Sequence, residues 1–194
     1  MITSLTDYEM NLVTDSEMLL TKNKIIQKVY ELLGCLSDEY KTILHSNTNM
    51  IVLSEKEAKI ARGENYKGLP YVIMDYPRLF SKADVFAIRT FFWWGNFFSI
   101  TLQLSGKYQD AYFSSIEKAV AKKLFQGWFV GCAPNPWEHH FEKENYLPIV
   151  PGENMLSSNL SYLKISKKIP LEKWDEVEIF MKENFSLLIK VLTT

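Results

Sequence analysis

The sequence contains only two cysteines, Cys35 and Cys132, in 194 residues. Two cysteines do not make the disulfide framework that stabilises small secreted domains. The N-terminus has neither a basic start nor an apolar core, so it does not resemble a secretory signal. We therefore expect a cytoplasmic protein in which both thiols are reduced.

A long apolar run and an excess of one charge are also missing. The most apolar stretch, residues 90–104, spans about 15 residues and is broken by Gly95 and Asn96, whereas a membrane-spanning helix needs roughly 20. The 22 basic and 23 acidic residues give a net charge of −1, without the basic stripe that nucleic-acid binders present to phosphates. We expect neither a membrane nor a nucleic acid as a partner.

Sequence motifs for cofactors and common catalytic sites are absent as well. The chain has no glycine-rich nucleotide-binding loop, no nucleophile elbow and no paired-cysteine motif for zinc. We therefore expect no cofactor.

Aromatic residues, by contrast, are abundant. They make up 14% of the chain, within a hydrophobic fraction of 47% and beside a charged fraction of 23%. This composition is ordinary for a globular protein, and the length suits one domain with one sizeable core. Rings in such number need burial or a partner surface.

Apolar spacing and turn residues divide the chain into helical and extended parts. We predict a helical N-terminal part (1–62, with a short helix from Ser54 to Ala61), a strand meander (67–106), a helix (108–130), and a strand with a C-terminal helix (161–192). Together they predict a single α+β domain over residues 1–194. Its mostly antiparallel sheet has about four strands with a central hairpin and is covered by helices.

The central hairpin is the most informative pattern. Gly95 and Asn96 separate two strand candidates and suit a two-residue primed turn. Such a turn pairs Trp94 with Phe97 and sorts neighbouring side chains onto opposite faces of the sheet. The face that carries Arg89 is then the more apolar one, and we expect it to meet the helices.

Arg89 on an apolar face needs a partner. A buried guanidinium costs several kcal/mol unless it is paired. Either Asp75 or Asp84 could pair with it internally, or an anionic ligand could do so. Asp75 and Arg78 also belong to a polar turn after the first strand of the meander, and loops at strand ends often carry function.

The other face of the hairpin mixes Trp94 and Phe97 with small polar side chains such as Thr101. This mixture is typical of a ligand pocket, of a partner interface and of an ordinary half-exposed sheet face. The residues predicted to bind a ligand are Arg89, Trp94, Phe97, Thr101, Asp75 and Arg78.

Residues 131–144 concentrate the chemically versatile side chains, among them Cys132, His139 and His140. Adjacent histidines point apart on a helix or a strand, and no HExxH pattern is present, so we predict no metal site. Cys132 would become a nucleophile only beside a group that lowers its pKa. Solvated or capping histidines in a loop are the simpler interpretation.

These observations favour a non-enzymatic module that binds a partner or small molecule through the aromatic sheet face, with self-association as one form. The alternative is an enzyme whose site lies between the sheet and the 131–146 loop. In that alternative His139 or His140 serves as the acid, base or metal ligand, because histidine titrates near neutral pH.

Overall fold

The computed structural model describes residues 3–47, 56–150 and 161–194. Within these ranges the chain forms four α-helices, seven strands and one 3₁₀ helix. In chain order they are α1 (Asp7–Thr14), α2 (Ser16–His45), β1 (Lys59–Tyr66), β2 (Leu69–Phe80), β3 (Val85–Trp93), β4 (Phe97–Ser105), α3 (Lys107–Ala121), β5 (Phe129–Gly131), β6 (Tyr146–Pro148), β7 (Tyr162–Pro170), the 3₁₀ helix (Leu171–Glu176) and α4 (Val177–Leu192).

The seven strands form one antiparallel sheet in the order β1-β2-β3-β4-β7-β5-β6. The α+β class fits the prediction, but the expected sheet of about four strands is wrong. Strands β5 and β6 have three residues each, which is too short to show a two-residue periodicity. β1 is an edge strand with few apolar residues, so its sequence carries no clear strand signal.

The N-terminal part also differs from the prediction that residues 1–62 are helical. Ser54, where a short helix was predicted to begin, lies outside the described residues, and β1 begins at Lys59. Ile60 of this strand packs against the main core, so tertiary burial overrides the local helical spacing. None of the helices that the structure describes has the length and apolar character to cross a bilayer.

The hairpin between β3 and β4 has a different register from the predicted one. Trp93 pairs with Phe97, so the loop contains three residues, Trp94 to Asn96, instead of two. Gly95 at its centre has φ +69°, a left-handed conformation that glycine adopts without strain. Arg89 therefore lies opposite Thr101 and not opposite Leu102.

This register decides which face meets the helices. The face turned to the helices is aromatic and aliphatic, with Phe86, Ile88, Phe92, Phe98, Ile100, Leu102 and Leu104 in the main core. Helices α2 and α4 pack on it and on each other, where the rings of Tyr40 and Phe185 stack with centroids 3.7 Å apart. Arg89 lies on the opposite face, which we call the outer face. The prediction that the face with Arg89 meets the helices is thus wrong.

Candidate functional site

A polar row crosses the outer face at the level of Arg89. Cross-strand pairing aligns Lys59 of β1, Asp75 of β2, Arg89 of β3, Thr101 of β4 and Ser166 of β7. Cross-strand neighbours on one face lie close enough to interact. The sheet therefore brings a lysine, an aspartate and an arginine together from three consecutive strands, β1, β2 and β3.

Arg89 and Asp75 form a buried, two-pronged ion pair. Arg89 Nε donates to Asp75 Oδ1 at 2.7 Å, and Arg89 Nη2 donates to Asp75 Oδ2 at 2.9 Å. The two side chains are only 10% and 11% exposed. Of the acids considered from the sequence, Asp75 is thus the one that pairs, whereas Asp84 accepts from the Lys107 amide elsewhere. Such bidentate pairs fix the guanidinium plane.

Residues 132–145, which we call the cover loop, contact the outer face beside this pair. The guanidinium of Arg89 lies 5.4 Å from the centre of the Trp137 ring. Arg89 Nη1 also donates to His139 Nε2 at 3.2 Å, so the proton of the neutral imidazole resides on Nδ1. Arg89 thereby joins the sheet to the cover loop.

An open cleft of about 320 Å³ lies beside the ion pair. Its lining combines polar and apolar side chains from β1, β2, β3 and the cover loop, namely Lys59, Ala61, Ile73, Asp75, Arg78, Phe80, Arg89 and Trp137. Three of the lining side chains are cationic and one is a carboxylate, so the cleft has an excess of two positive charges. Three residues predicted from the sequence, Asp75, Arg78 and Arg89, meet here.

Two hydrogen-bonding centres hold the cover loop on the sheet. The Tyr66 hydroxyl accepts from the amides of His139 and His140 at 2.7 and 3.0 Å and donates to Glu138 Oε2 at 3.0 Å. Lys164 Nζ donates to the Pro136 carbonyl at 2.9 Å and to the Glu138 carbonyl. Both centres act on the segment around Trp137 and so place this ring over the cleft.

Lys164 gives the anchoring of the loop a pH dependence. Burial lowers the pKa of Lys164 to about 7 from the ordinary value of 10.5, and the nearby Arg89 cation adds to the effect. Between these two pH values the unfolded chain holds a proton that the folded protein has released. The free energy of unfolding therefore rises with pH across this window.

We expect Lys164→Met to remove this rise. Urea unfolding of both proteins from about pH 7 to about pH 9 measures it, and the wild type should gain stability relative to the variant by up to about 1.4 kcal/mol per pH unit. Parallel stability curves would show that the Lys164 amine keeps its ordinary pKa.

The aromatic part of the outer face is filled by the protein itself. Phe91, Trp93 and Phe97 form a second apolar cluster, and Phe141 of the cover loop packs onto it with its ring 5.1 Å from that of Phe97. Phe97 is therefore buried below the loop. Trp94 packs with the main core on the helix side, so neither residue reaches the cleft.

Thr101 is also buried below the cover loop rather than exposed to a ligand. Its Oγ1 lies 2.7 Å from Ser166 Oγ, and the Tyr146 hydroxyl hydrogen-bonds with both residues. Burial raises the pKa of Tyr146. Thr101 thus belongs to a closed hydrogen-bonded group next to the cleft.

The residues proposed for catalysis occupy three different environments. His139 contacts Arg89, and burial together with this cation lowers its pKa well below 6.5. His140 is buried, with Nε2 3.6 Å from Glu138 Oε2. Burial raises the pKa of Cys132, whose Sγ donates to the Lys143 carbonyl at 3.5 Å. In the described ranges, no three His, Cys, Asp or Glu side chains converge on a metal position.

Sequence reasoning missed Trp137, Lys164, Tyr66 and Lys59 as parts of this site. One signal was present, because Leu163 and Ile165 flank Lys164 in the predicted strand, and side chains alternate between the faces of a strand, so Lys164 lies on the face opposite these two apolar residues. Trp137 lies inside the segment singled out for its histidines. Tyr66 and Lys59 belong to β1, and no pattern in the sequence marked that strand.

The sequence matches no family model, and no match was found among curated proteins or solved structures. The evidence on function therefore comes from the chemistry of the cleft.

Proposed function

We propose that the protein is a non-enzymatic binding module that takes a small anion bearing a flat ring, such as an aromatic phosphate or carboxylate, in the cleft beside Arg89. The main support for the proposal is that Lys59, Arg78 and Arg89 line one cleft together with an exposed Trp137. A cavity of about 320 Å³ is at the lower end of the range for small-molecule sites.

The charge of the cleft favours an anion. Arg89 occupies both oxygens of Asp75, so the one carboxylate in the lining is already neutralised. Arg78 Nε donates to the Glu57 carbonyl at 3.3 Å, a contact that leaves its charge uncompensated. Among the described residues, neither Arg78 nor Lys59 lies within 4.0 Å of a carboxylate. Two cations are thus available to a ligand at the mouth of the cleft.

The aromatic rim favours a flat ring. Trp137 and Phe80 are 45% and 40% exposed, and their ring centroids are 6.2 Å apart. Exposed large rings beside a cleft are a common contact for planar ligands, since they add apolar area with little loss of conformational freedom. A ligand ring placed against Trp137 would direct its anionic group towards Arg78 and Lys59.

The alternative of an enzyme that uses histidine has less support. The Nε2 lone pair of His139 already accepts from Arg89, and its lowered pKa makes it a weak base and keeps it uncharged at neutral pH. His140, a residue of the cover loop itself, is buried. Neither imidazole lines the cleft, and the lining holds no serine, cysteine or histidine. A binding role fits this set of side chains better than turnover does.

Calorimetric titration with phenyl phosphate tests the proposal, with benzyl alcohol as the uncharged probe of similar shape. We expect phenyl phosphate to bind and benzyl alcohol to bind much more weakly. Arg78→Ala should raise the Kd for phenyl phosphate by about 10- to 100-fold, because a hydrogen bond to a charged group is worth roughly 1.5–3 kcal/mol. Trp137→Ala should weaken binding of the same probe through loss of the ring contact.

Arg62→Ala is the matched control. Arg62 is an exposed residue of the same strand as Lys59, and its neighbour Val72 points into the helix-side core. The substitution removes one positive charge without touching the cleft, so the Kd should stay within about twofold. Equal losses in Arg62→Ala and Arg78→Ala would mean that only the overall charge matters, and absence of binding by the wild type would overturn the proposal.

A further inference from the structure

Residues 3–20 form an apolar helical arm in which every residue is exposed. No residue of α1 is buried, and the buried residues of α2 begin only at Ile26. Eight large apolar side chains of this arm are between 37% and 72% exposed, namely Leu5, Tyr8, Met10, Leu12, Val13, Met18, Leu19 and Leu20. None of them belongs to either apolar cluster of the protein.

The arm is nevertheless well organised as helix. Thr6 caps α1 through a reciprocal capping box with Glu9, and Asp15 caps α2 through the amides of Glu17 and Met18. A helix of 8 residues is too short to be stable alone in water, where about 12–15 residues are marginal. An ordered apolar helix of this length therefore needs a surface to pack against.

The exposed area suits a dimer. Eight such side chains, each offering on the order of 100 Å², reach the roughly 800 Å² per partner that stable interfaces bury. Contiguous apolar patches larger than a few hundred Å² are rare on monomers.

The charges along the arm complement the segment that follows it. Residues 3–21 contain four acids, at positions 7, 9, 15 and 17, and no basic residue, whereas residues 22–28 contain three lysines and no acid. Two copies placed antiparallel, with a two-fold axis near Leu20, bring Asp15 and Glu17 of each copy to the level of the lysine segment of the other. A two-fold axis requires this kind of self-complementary surface.

We propose that the N-terminal arm is a homodimer interface in which two copies pair antiparallel about Leu20. This interface is separate from the cleft beside Arg89 and from the outer face of the sheet. It places Glu17 of one copy near Lys24 of the other, and it buries apolar side chains of both arms.

Light scattering coupled to size-exclusion chromatography, with sedimentation velocity for the Kd, tests the interface. We expect a dimer for the wild type at micromolar concentration. Leu20→Ser should raise the dimer Kd by roughly a hundredfold, because the two-fold axis repeats the loss. Ile179→Ser, at a 63% exposed position of α4, should leave the Kd unchanged. Far-ultraviolet circular dichroism and urea unfolding confirm that both variants fold.

Exchange of the charges at Glu17 and Lys24 tests whether the partner of the arm is a second copy of this chain. Glu17→Lys and Lys24→Glu should each weaken self-association about tenfold, and an equimolar mixture of the two variants should form a heterodimer as tight as the wild type. A monomeric wild type, a dimer indifferent to Leu20→Ser, or a mixture that fails to pair would each overturn the proposal.

Discussion

Arg89→Met should lower the free energy of unfolding by about 3–5 kcal/mol. The substitution keeps an unbranched apolar stem and removes the guanidinium, so Asp75 is left as an unpaired carboxylate that is only 11% exposed. His139 also loses the donor to its Nε2. Urea unfolding monitored by tryptophan fluorescence measures the loss.

The double variant Arg89→Met with Asp75→Leu distinguishes the net stability that the ion pair contributes from the cost of leaving the Asp75 carboxylate unpaired. An apolar pair of similar volume replaces a buried ion pair at little cost, so the double variant should recover most of the stability lost by Arg89→Met. Arg62→Met, at an exposed position of β1, should change stability by less than about 0.5 kcal/mol. A loss below about 1 kcal/mol in Arg89→Met would mean that the pair is solvated and that the outer face is more open than described.

Tyr66→Phe should cost about 2–4 kcal/mol, because two backbone amides of the cover loop lose their acceptor at once. The amides of His139 and His140 both donate to this hydroxyl, and Glu138 loses one of its donors. The ring itself remains in contact with Phe91 and Trp93, so the loss comes from the hydroxyl alone. Urea unfolding gives the energy, and hydrogen exchange at the two amides reports the local opening.

Tyr71→Phe is the matched control for Tyr66→Phe. Tyr71 lies on the same outer face, with its ring 6.2 Å from that of Tyr66. Removal of its hydroxyl should change stability by less than about 0.5 kcal/mol. If both variants behave alike, or if the amides of His139 and His140 exchange no faster in Tyr66→Phe, the cover loop is held by other contacts.

The two largest predicted effects act on the two sides of one cleft. Arg89 lines the cleft from the sheet, and Tyr66 hydrogen-bonds to the cover loop, which contains Trp137. Substitution of Arg89 or of Tyr66 should therefore also weaken the binding of phenyl phosphate, even though Tyr66 does not line the cleft. Positioning of this kind is a general requirement for precise binding sites.

Parts of the fold with strong periodicity were predictable from the sequence. The long helix from about residue 15 to 45 and the four longer strands follow from spacing over many residues. The short strands β5 and β6 and the polar strand β1 were not predictable from the sequence. β5 and β6 gain their stability from pairing with neighbouring strands rather than from their own residues. The predicted sheet was therefore three strands too small.

The hairpin shows how a single residue changes the account of a site. The Gly95-Asn96 pair favours a two-residue loop by local propensity alone. In the folded protein Trp94 leaves the strand, its amide donates to the Pro70 carbonyl at 3.0 Å, and its ring packs on the helix side. This packing adds one residue to the loop and shifts the pairing of β3 with β4 by one residue. Because side chains alternate between faces, the side chains of β3 that share a face with a given set from β4 are then the opposite set from the predicted one.

The site was predictable only in part for the same reason. Arg89 was identified as needing a partner because an unpaired buried guanidinium is costly, and Asp75 was one of the two acids proposed as that partner. Trp94, Phe97 and Thr101 were assigned to a ligand-facing surface on the basis of the predicted register. The actual register and the cover loop leave them outside the cleft, and the fold of a 14-residue irregular loop follows from no short-range pattern.

The proposed function depends above all on a cleft in which Arg89 and Trp137 face the same ligand. The most direct test is a phenyl phosphate titration followed in ¹⁵N-correlated spectra that resolve the side-chain Nε signal of Arg89 and the indole signals. We predict that the Arg89 and Trp137 signals shift together and saturate with one Kd, while the indoles of Trp128 and Trp174, which pack in the helix-side core, stay in place. Unchanged Arg89 and Trp137 signals at saturating probe, or shifts spread over all indoles, would contradict the account.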